Sequence, residues 1–207
     1  MKPWFAILPL SMLAALPGGC AALRKADAPA TMRLAPDFGQ AAMATEASGS
    51  VSVAPVQARG FAATARYTYV DAAAPGEVRQ AATLFWEEPP ANVVERALVA
   101  GLKTRFAIVR GTEVGLPADH RVIAILTRFE EVGAGGDAQA TVAFDATMVS
   151  SGKAGSSASF CATAPVGGAS PTLRARAFEA AIVTAVGRFV QAAATASPTG
   201  SLTGSPC

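Results

Sequence analysis

Histidine occurs once in the 207 residues, at His120, and cysteine three times, at Cys20, Cys161 and Cys207. No Cys pair or second His stands at metal-ligand spacing, which excludes the zinc modules and leaves His120 without co-ligands. A Ser-His-Asp arrangement would have to recruit that same His120, in the turn-like Leu116-Pro117-Ala118-Asp119-His120, and no Gly-x-Ser-x-Gly elbow accompanies it. Charge is scarce too. Only 15% of residues are Asp, Glu, Lys or Arg, and the formal net charge is +2. Removing the N-terminal segment that holds Lys2 takes 17 basic residues to 16, against 15 acidic. A near-neutral chain without a basic run and interleaved aromatics has no electrostatic basis for a nucleic-acid partner. The Gly-rich stretch Gly133-Ala134-Gly135-Gly136 joins two strand-like segments instead of opening a helix, so it reads as a hairpin turn and not as a phosphate cradle. No internal repeat is visible.

What is present is apolar. At 51% hydrophobic, the chain can build a core, although much of that share is Ala and the core should be small. The length suits one modest domain with tails. Residues 1–20 are organised as a secretory signal: Lys2 as a short positive region, an apolar run from Trp4 to Leu16, then small residues up to Cys20. The apolar run is too short to persist as a spanning helix. Leu16-Pro17-Gly18-Gly19-Cys20 resembles a bacterial lipobox, with Pro17 where a bulky apolar residue is usual. Small residues let the peptide lie flat in a signal peptidase, and the thiol of Cys20 accepts a diacylglycerol. Two or three acyl chains give durable anchoring, at about 0.8 kcal/mol per buried CH₂. Ala21 follows, with no acidic residue beside the Cys, which favours the inner leaflet of the outer membrane by analogy with enterobacterial sorting.

Residues 21–50, rich in Ala, Pro, Gly and Ser, read as a membrane tether containing a short first strand near Thr31–Leu34. Residues 51–196 form the domain. Val51–Val56 and Arg66–Val70 alternate as strands, and Val78–Trp86 returns from a turn as partner of the second. Pro89 and Pro90 open a helix, Pro being tolerated at the first helical position because its missing N–H has no partner there. Val94, Leu98, Gly101 and Leu102 form that helix's apolar side. Phe106–Val109 is a short strand. Arg121–Val132 and Ala138–Met148 form a hairpin extended by Ser156–Ala164, with Phe160 inward and Cys161 on the opposite face. Ser170-Pro171 caps a long helix carrying Leu173, Phe178, Ile182, Val186 and Phe189. Residues 197–207 read as a disordered tail. The sum, six or seven strands and two helices, predicts an α+β fold: a mostly antiparallel sheet with both helices packed on one face.

Few residues carry chemistry. Glu87-Glu88 is a carboxylate pair, but adjacent residues face different ways, so solvated charge near the helix's positive end is the reading. Glu130-Glu131 reads the same way. Tyr67 and Tyr69 share a strand face and suit an aromatic stripe. Cys161 and Cys207 pair in an oxidising compartment if they approach; otherwise Cys161 is a small buried hydrophobe and Cys207 a frayed end. The segment that stands out is Trp86-Glu87-Glu88-Pro89-Pro90, which closes a strand and opens a helix, with Trp86 anchoring the corner.

With Met32-Arg33-Leu34, Val51-Ser52-Val53, Gly60-Phe61, Tyr67-Thr68-Tyr69, Leu84-Phe85-Trp86-Glu87-Glu88-Pro89-Pro90, Phe106-Ala107-Ile108-Val109 and Ala158-Ser159-Phe160 in this order behind Cys20, the sequence resembles the ABC-type transport auxiliary lipoprotein family from roughly Thr31 to Ala194. The resemblance implies a non-enzymatic docking and binding component with no cofactor beyond the lipid on Cys20. It implies an MCE-domain protein as partner, an inner-membrane permease and an ATPase as indirect partners, and transport of lipids or other hydrophobic molecules between membranes; the residues leave open whether the protein forms a homo-oligomer. The alternatives are a structural envelope lipoprotein bracing another assembly and a small periplasmic hydrolase that depends on His120.

Overall fold

A computed structural model describes residues 28–39, 47–71, 73–111, 117–151, 155–196 and 201–207. The signal segment, Cys20 and the first part of the tether lie outside the described residues. In chain order the elements are β1 (Ala30–Met32), β2 (Ala47–Val53), β3 (Gln57–Ala58), β4 (Arg66–Val70), β5 (Val78–Trp86), α1 (Pro90–Leu102), β6 (Phe106–Gly111), β7 (His120–Val132), β8 (Gln139–Ser150), β9 (Ser156–Pro165) and α2 (Pro171–Thr195). Short 3-10 turns span Gly60–Ala63 between β3 and β4 and Gly135–Asp137 between β7 and β8.

The fold is α+β, and the sheet is mixed rather than mostly antiparallel. β7 is its spine. One edge of β7 takes three strands end to end, all parallel to it: β2 at His120–Val122, β3 at Ile125–Leu126 and β4 at Glu131–Val132. The other edge pairs antiparallel with β8 along its whole length, and β9 follows β8 antiparallel. β4 and β5 form the expected antiparallel hairpin. β1 then joins β5, and β6 joins β2, both in parallel. The sequence pattern exposes hairpins, because a short turn joins two antiparallel strands. Parallel neighbours are brought together from distant stretches of chain and leave no local turn signal.

The hydrophobic pattern of β7 explains its placement. Val122, Ala124 and Leu126 are fully buried. A register shift against β8 between Leu126 and Arg128 then moves the inward phase by one residue, so that Phe129 and Glu131 face the core. Thr127 fills the irregularity by donating its hydroxyl to the Ala143 carbonyl at 3.1 Å. α1 buries Val94, Leu98 and Leu102, while α2 buries Phe178, Ile182, Val186 and Phe189. These side chains join one cluster with the inward residues of β2, β7, β8 and β9, so both helices cover the same face. α2 is long and apolar enough to cross a bilayer by composition, but its apolar side is spent on this sheet. Ser170 caps it, its hydroxyl accepting the Leu173 N–H at 3.3 Å, with Pro171 at the first helical position as expected.

Two expected boundaries shift. Met32 and Leu34 are buried and β2 begins at Ala47, so the folded unit starts ahead of residue 51. At the other end, residues 201–207 are not a disordered tail: Leu202 is buried and Cys207 is disulfide-bonded to Cys161, with their Cα atoms 5.1 Å apart. No hydrophobic period marks this segment, because its hold on the fold comes from one buried Leu, edge hydrogen bonds and one covalent bond.

Candidate functional site

The Trp86–Pro90 segment lies where β1, β5, α1 and α2 converge. β5 ends by pairing with β1, and the Glu87 N–H continues that pairing onto the Met32 carbonyl at 2.8 Å. The alternation of β5 turns Leu84 and Trp86 inward. Pro89 is the N-cap and Pro90 the first residue of α1; no side chain caps this terminus. Buried Trp86 sits in an aromatic cluster, 5.0 Å from Phe178, 5.4 Å from Tyr67 and 5.4 Å from Phe129 between ring centres. Most of these contacts are tilted or edge-on, the geometry that aromatic quadrupoles favour.

The two glutamates do not converge. Glu87 accepts from both Nε and Nη2 of Arg33, at 2.5 and 2.7 Å, tying the residue that follows β1 to the corner. Glu88 accepts both terminal nitrogens of Arg96, which stands two turns into α1. The hydrogen bonds from these arginines hold both carboxyls below the usual carboxylate range. Arg33–Glu87 is exposed and Arg96–Glu88 partly so, and solvent screening keeps the contribution of such pairs to stability small. They orient the corner and build no shared acid–base site, in line with the expectation for adjacent residues.

Beneath the corner lies a buried polar cluster that the sequence reading missed. Glu131, read as solvated, is 7% exposed. The β7 register shift turns it inward, where it accepts the Tyr67 hydroxyl and the Arg174 Nε, the latter at 3.1 Å. The Arg174 guanidinium also lies 5.1 Å above the Tyr67 ring. Burial, and then the hydrogen bond to the Glu131 carboxylate, push the Tyr67 phenol well above its ordinary value. Three elements, β4, β7 and α2, are thereby linked under the Trp86 cluster. The one sequence signal was that Glu131 shares a phase with Phe129. Tyr67 and Tyr69 do share a face; Tyr67 is wholly buried and Tyr69 partly.

Outside, an open groove of about 290 Å³ runs between β1 and the first turns of α2, lined by Met32, Arg33, Pro171, Ala175, Arg176 and Glu179 among others. Glu179 crosses its end to accept the Ala35 N–H at 2.8 Å. His120 opens β7, its Nδ1 is 2.8 Å from the Ser150 hydroxyl, and its ring packs edge-on to Phe106. The neighbouring Asp119 carboxyl accepts the backbone and hydroxyl of Ser50, which hold it below the ordinary range. Among the described residues, no group of three or more His, Cys, Asp or Glu is placed to hold a metal ion.

The corner with its two ion pairs, the aromatic cluster beneath it and the open groove beside β1 are the features of this end of the fold. The profile of the ABC-type transport auxiliary lipoprotein component family matches residues 33–196, nearly the whole folded unit. The chain belongs to this family. The auxiliary lipoprotein is also similar to the crystal structure of protein XCC0632 from Xanthomonas campestris, with a TM-score of 0.67 at 19% identity over 78% of this chain and 92% of that one. A second crystal structure, of an uncharacterized protein, is similar with a TM-score of 0.63 at 11% identity, over 80% of this chain and 98% of the other. Likeness at these identities concerns the fold alone. No curated protein matches the sequence. Family membership makes the protein a transport-associated lipoprotein of the cell envelope.

Proposed function

We propose that this auxiliary lipoprotein is the outer-membrane docking component of an MCE-type ABC system that moves lipids or other hydrophobic molecules between membranes. The family match across residues 33–196 carries the reading. Acyl chains on Cys20 hold the protein to the inner leaflet of the outer membrane, and the folded unit reaches into the periplasm. It works by binding and positioning, without catalysis and without a cofactor other than the covalent lipid. The MCE-domain protein is its direct partner; the permease and the ATPase that supplies the energy act at a distance. The Trp86–Pro90 corner supports this reading because Arg33–Glu87 and Arg96–Glu88 present paired charges at the surface over a buried aromatic cluster.

The test is affinity purification of the lipidated protein from membranes in mild detergent, followed by mass spectrometry. Recovery of an MCE-domain protein, lost when both Glu87 and Glu88 are replaced by Lys in a stably folded variant, supports docking through this corner. Recovery of other envelope proteins only, from correctly localised protein, rejects the transport reading in favour of a bracing lipoprotein.

A further inference from the structure

β9 is the last strand on its side of the sheet, and such an edge presents unpaired backbone groups to any extended chain. Here the protein covers it with residues 201–207. Ser205 forms a parallel bridge with Phe160, its N–H donating to the Ser159 carbonyl and its carbonyl accepting the Cys161 N–H, both at 2.8 Å. The Leu202 N–H donates to the Ser156 hydroxyl at 2.7 Å, and the Leu202 side chain is buried with the core. A Cβ on Gly204 would lie 2.7 Å from the Ser159 carbonyl oxygen, so only glycine lets the segment come this close. The disulfide from Cys207 to Cys161 closes the arrangement.

We propose that the β9 edge is a strand-docking surface gated by the Cys161–Cys207 disulfide. Its occupant in the open state is an extended segment of a partner protein bearing the pattern apolar-x-Gly-x, the apolar residue entering the Leu202 slot and the glycine facing Ser159. The protein's own segment displays that pattern in place. Its non-covalent hold is a single buried side chain and a few edge hydrogen bonds, a set that a competing segment can match. While the disulfide is closed, the segment is pinned to β9 at Cys161 and cannot leave the edge for a partner to enter; once the bond opens, only its weak non-covalent contacts hold it there. A dithiol donor of the Cys-x-x-Cys class opens it. The donor supplies two electrons and two protons, the Cys161–Cys207 bond breaks to two thiols, and the donor closes its own disulfide.

The test uses the full chain and a synthetic peptide of the sequence Ser-Leu-Thr-Gly-Ser-Pro-Cys, its cysteine activated as the mixed disulfide with thionitrobenzoate. When the peptide docks, the Cys161 thiolate attacks the peptide sulfur, a Cys161–peptide disulfide forms and thionitrobenzoate leaves. In the Cys207→Ser protein the peptide should label Cys161 at least tenfold faster than a control peptide with Asp for Leu and Val for Gly. The oxidised wild-type protein should not be labelled at Cys161, the labelled site being assigned by peptide mass spectrometry. Equal rates for the two peptides, or a Cys161 that stays inert, overturn the proposal, as does edge-to-edge pairing of two protein copies in place of peptide capture. Should Cys207→Ser fail to fold, wild-type protein reduced with dithiothreitol serves instead. The Cys161 amide should then exchange its hydrogen at least tenfold faster than in the oxidised form, with the circular dichroism spectrum unchanged. Unaltered protection overturns the gate.

Discussion

At the residue scale, the cluster of Tyr67, Glu131 and Arg174 concentrates the electrostatic risk of the fold. A buried carboxylate is tolerable only while its partners remain, and here they are one phenol and one guanidinium. The raised phenol has a stated consequence for pH. An unfolded tyrosine ionises near pH 10, whereas folded Tyr67 holds its proton beyond that, so its contribution is complete below about pH 10. Above it, stability falls by about 1.4 kcal/mol per pH unit, because the folded state binds one proton more than the unfolded. Tyr67→Phe should abolish that slope in urea unfolding between pH 9 and 11. It should also cost about 1–3 kcal/mol at pH 7, where Glu131 loses a donor. A variant with the wild-type alkaline slope would place the titration elsewhere. Trp86→Ala removes the hub of four packed rings and should cost about 3–5 kcal/mol in the same assay. A melting temperature near wild type is the outcome that contradicts this. Trp86 was legible from its place at the end of an alternating strand. Glu131 was not, because its side of the sheet depends on a one-residue register shift that only pairing with β8 creates.

At the element scale, the approach of the two helices turns on Gly101. A Cβ there would stand 2.8 Å from Val186 Cγ1 and 3.2 Å from Val190 Cγ2. α1 and α2 pack so closely because that side chain is absent. Gly101→Val should therefore push the helices apart and cost about 1–3 kcal/mol, read as a lower midpoint in denaturant. An unchanged midpoint would mean that the helices separate freely. Both helices were evident in the sequence, from Pro at their first positions and apolar residues at helical spacing, and their boundaries match closely. The contact between them was not. Gly101 fell in the apolar period of α1, but nothing local distinguishes a glycine that fills out a face from one that admits a neighbouring helix.

At the scale of the whole molecule, the proposed anchor at Cys20 lies apart in sequence from the matched unit of residues 33–196, so on that proposal anchoring and folding should fail separately. Cys20→Ser should leave the melting temperature of the folded unit unchanged and remove the protein from outer-membrane fractions. Density-gradient fractionation, with mass spectrometry of the N-terminal peptide for acyl chains, checks both. Retention in the outer membrane without acyl chains would refute anchoring through this residue. The sequence by itself determined what local chemistry can encode: the β4–β5 and β7–β8 hairpins, the two helices with Pro at their first positions, the Trp86–Pro90 corner and, through their order, the family. Only the tertiary structure decided the rest. β2, β3 and β4 lie parallel along one edge of β7, Glu131 turns into the core, and residues 201–207 close the β9 edge with Cys207 on Cys161. The physical reason is common to all three. Hairpins and helices are stabilised between residues close in sequence, which leave a period or a turn to read, whereas parallel pairing, register and edge closure are fixed between distant segments by the burial they share.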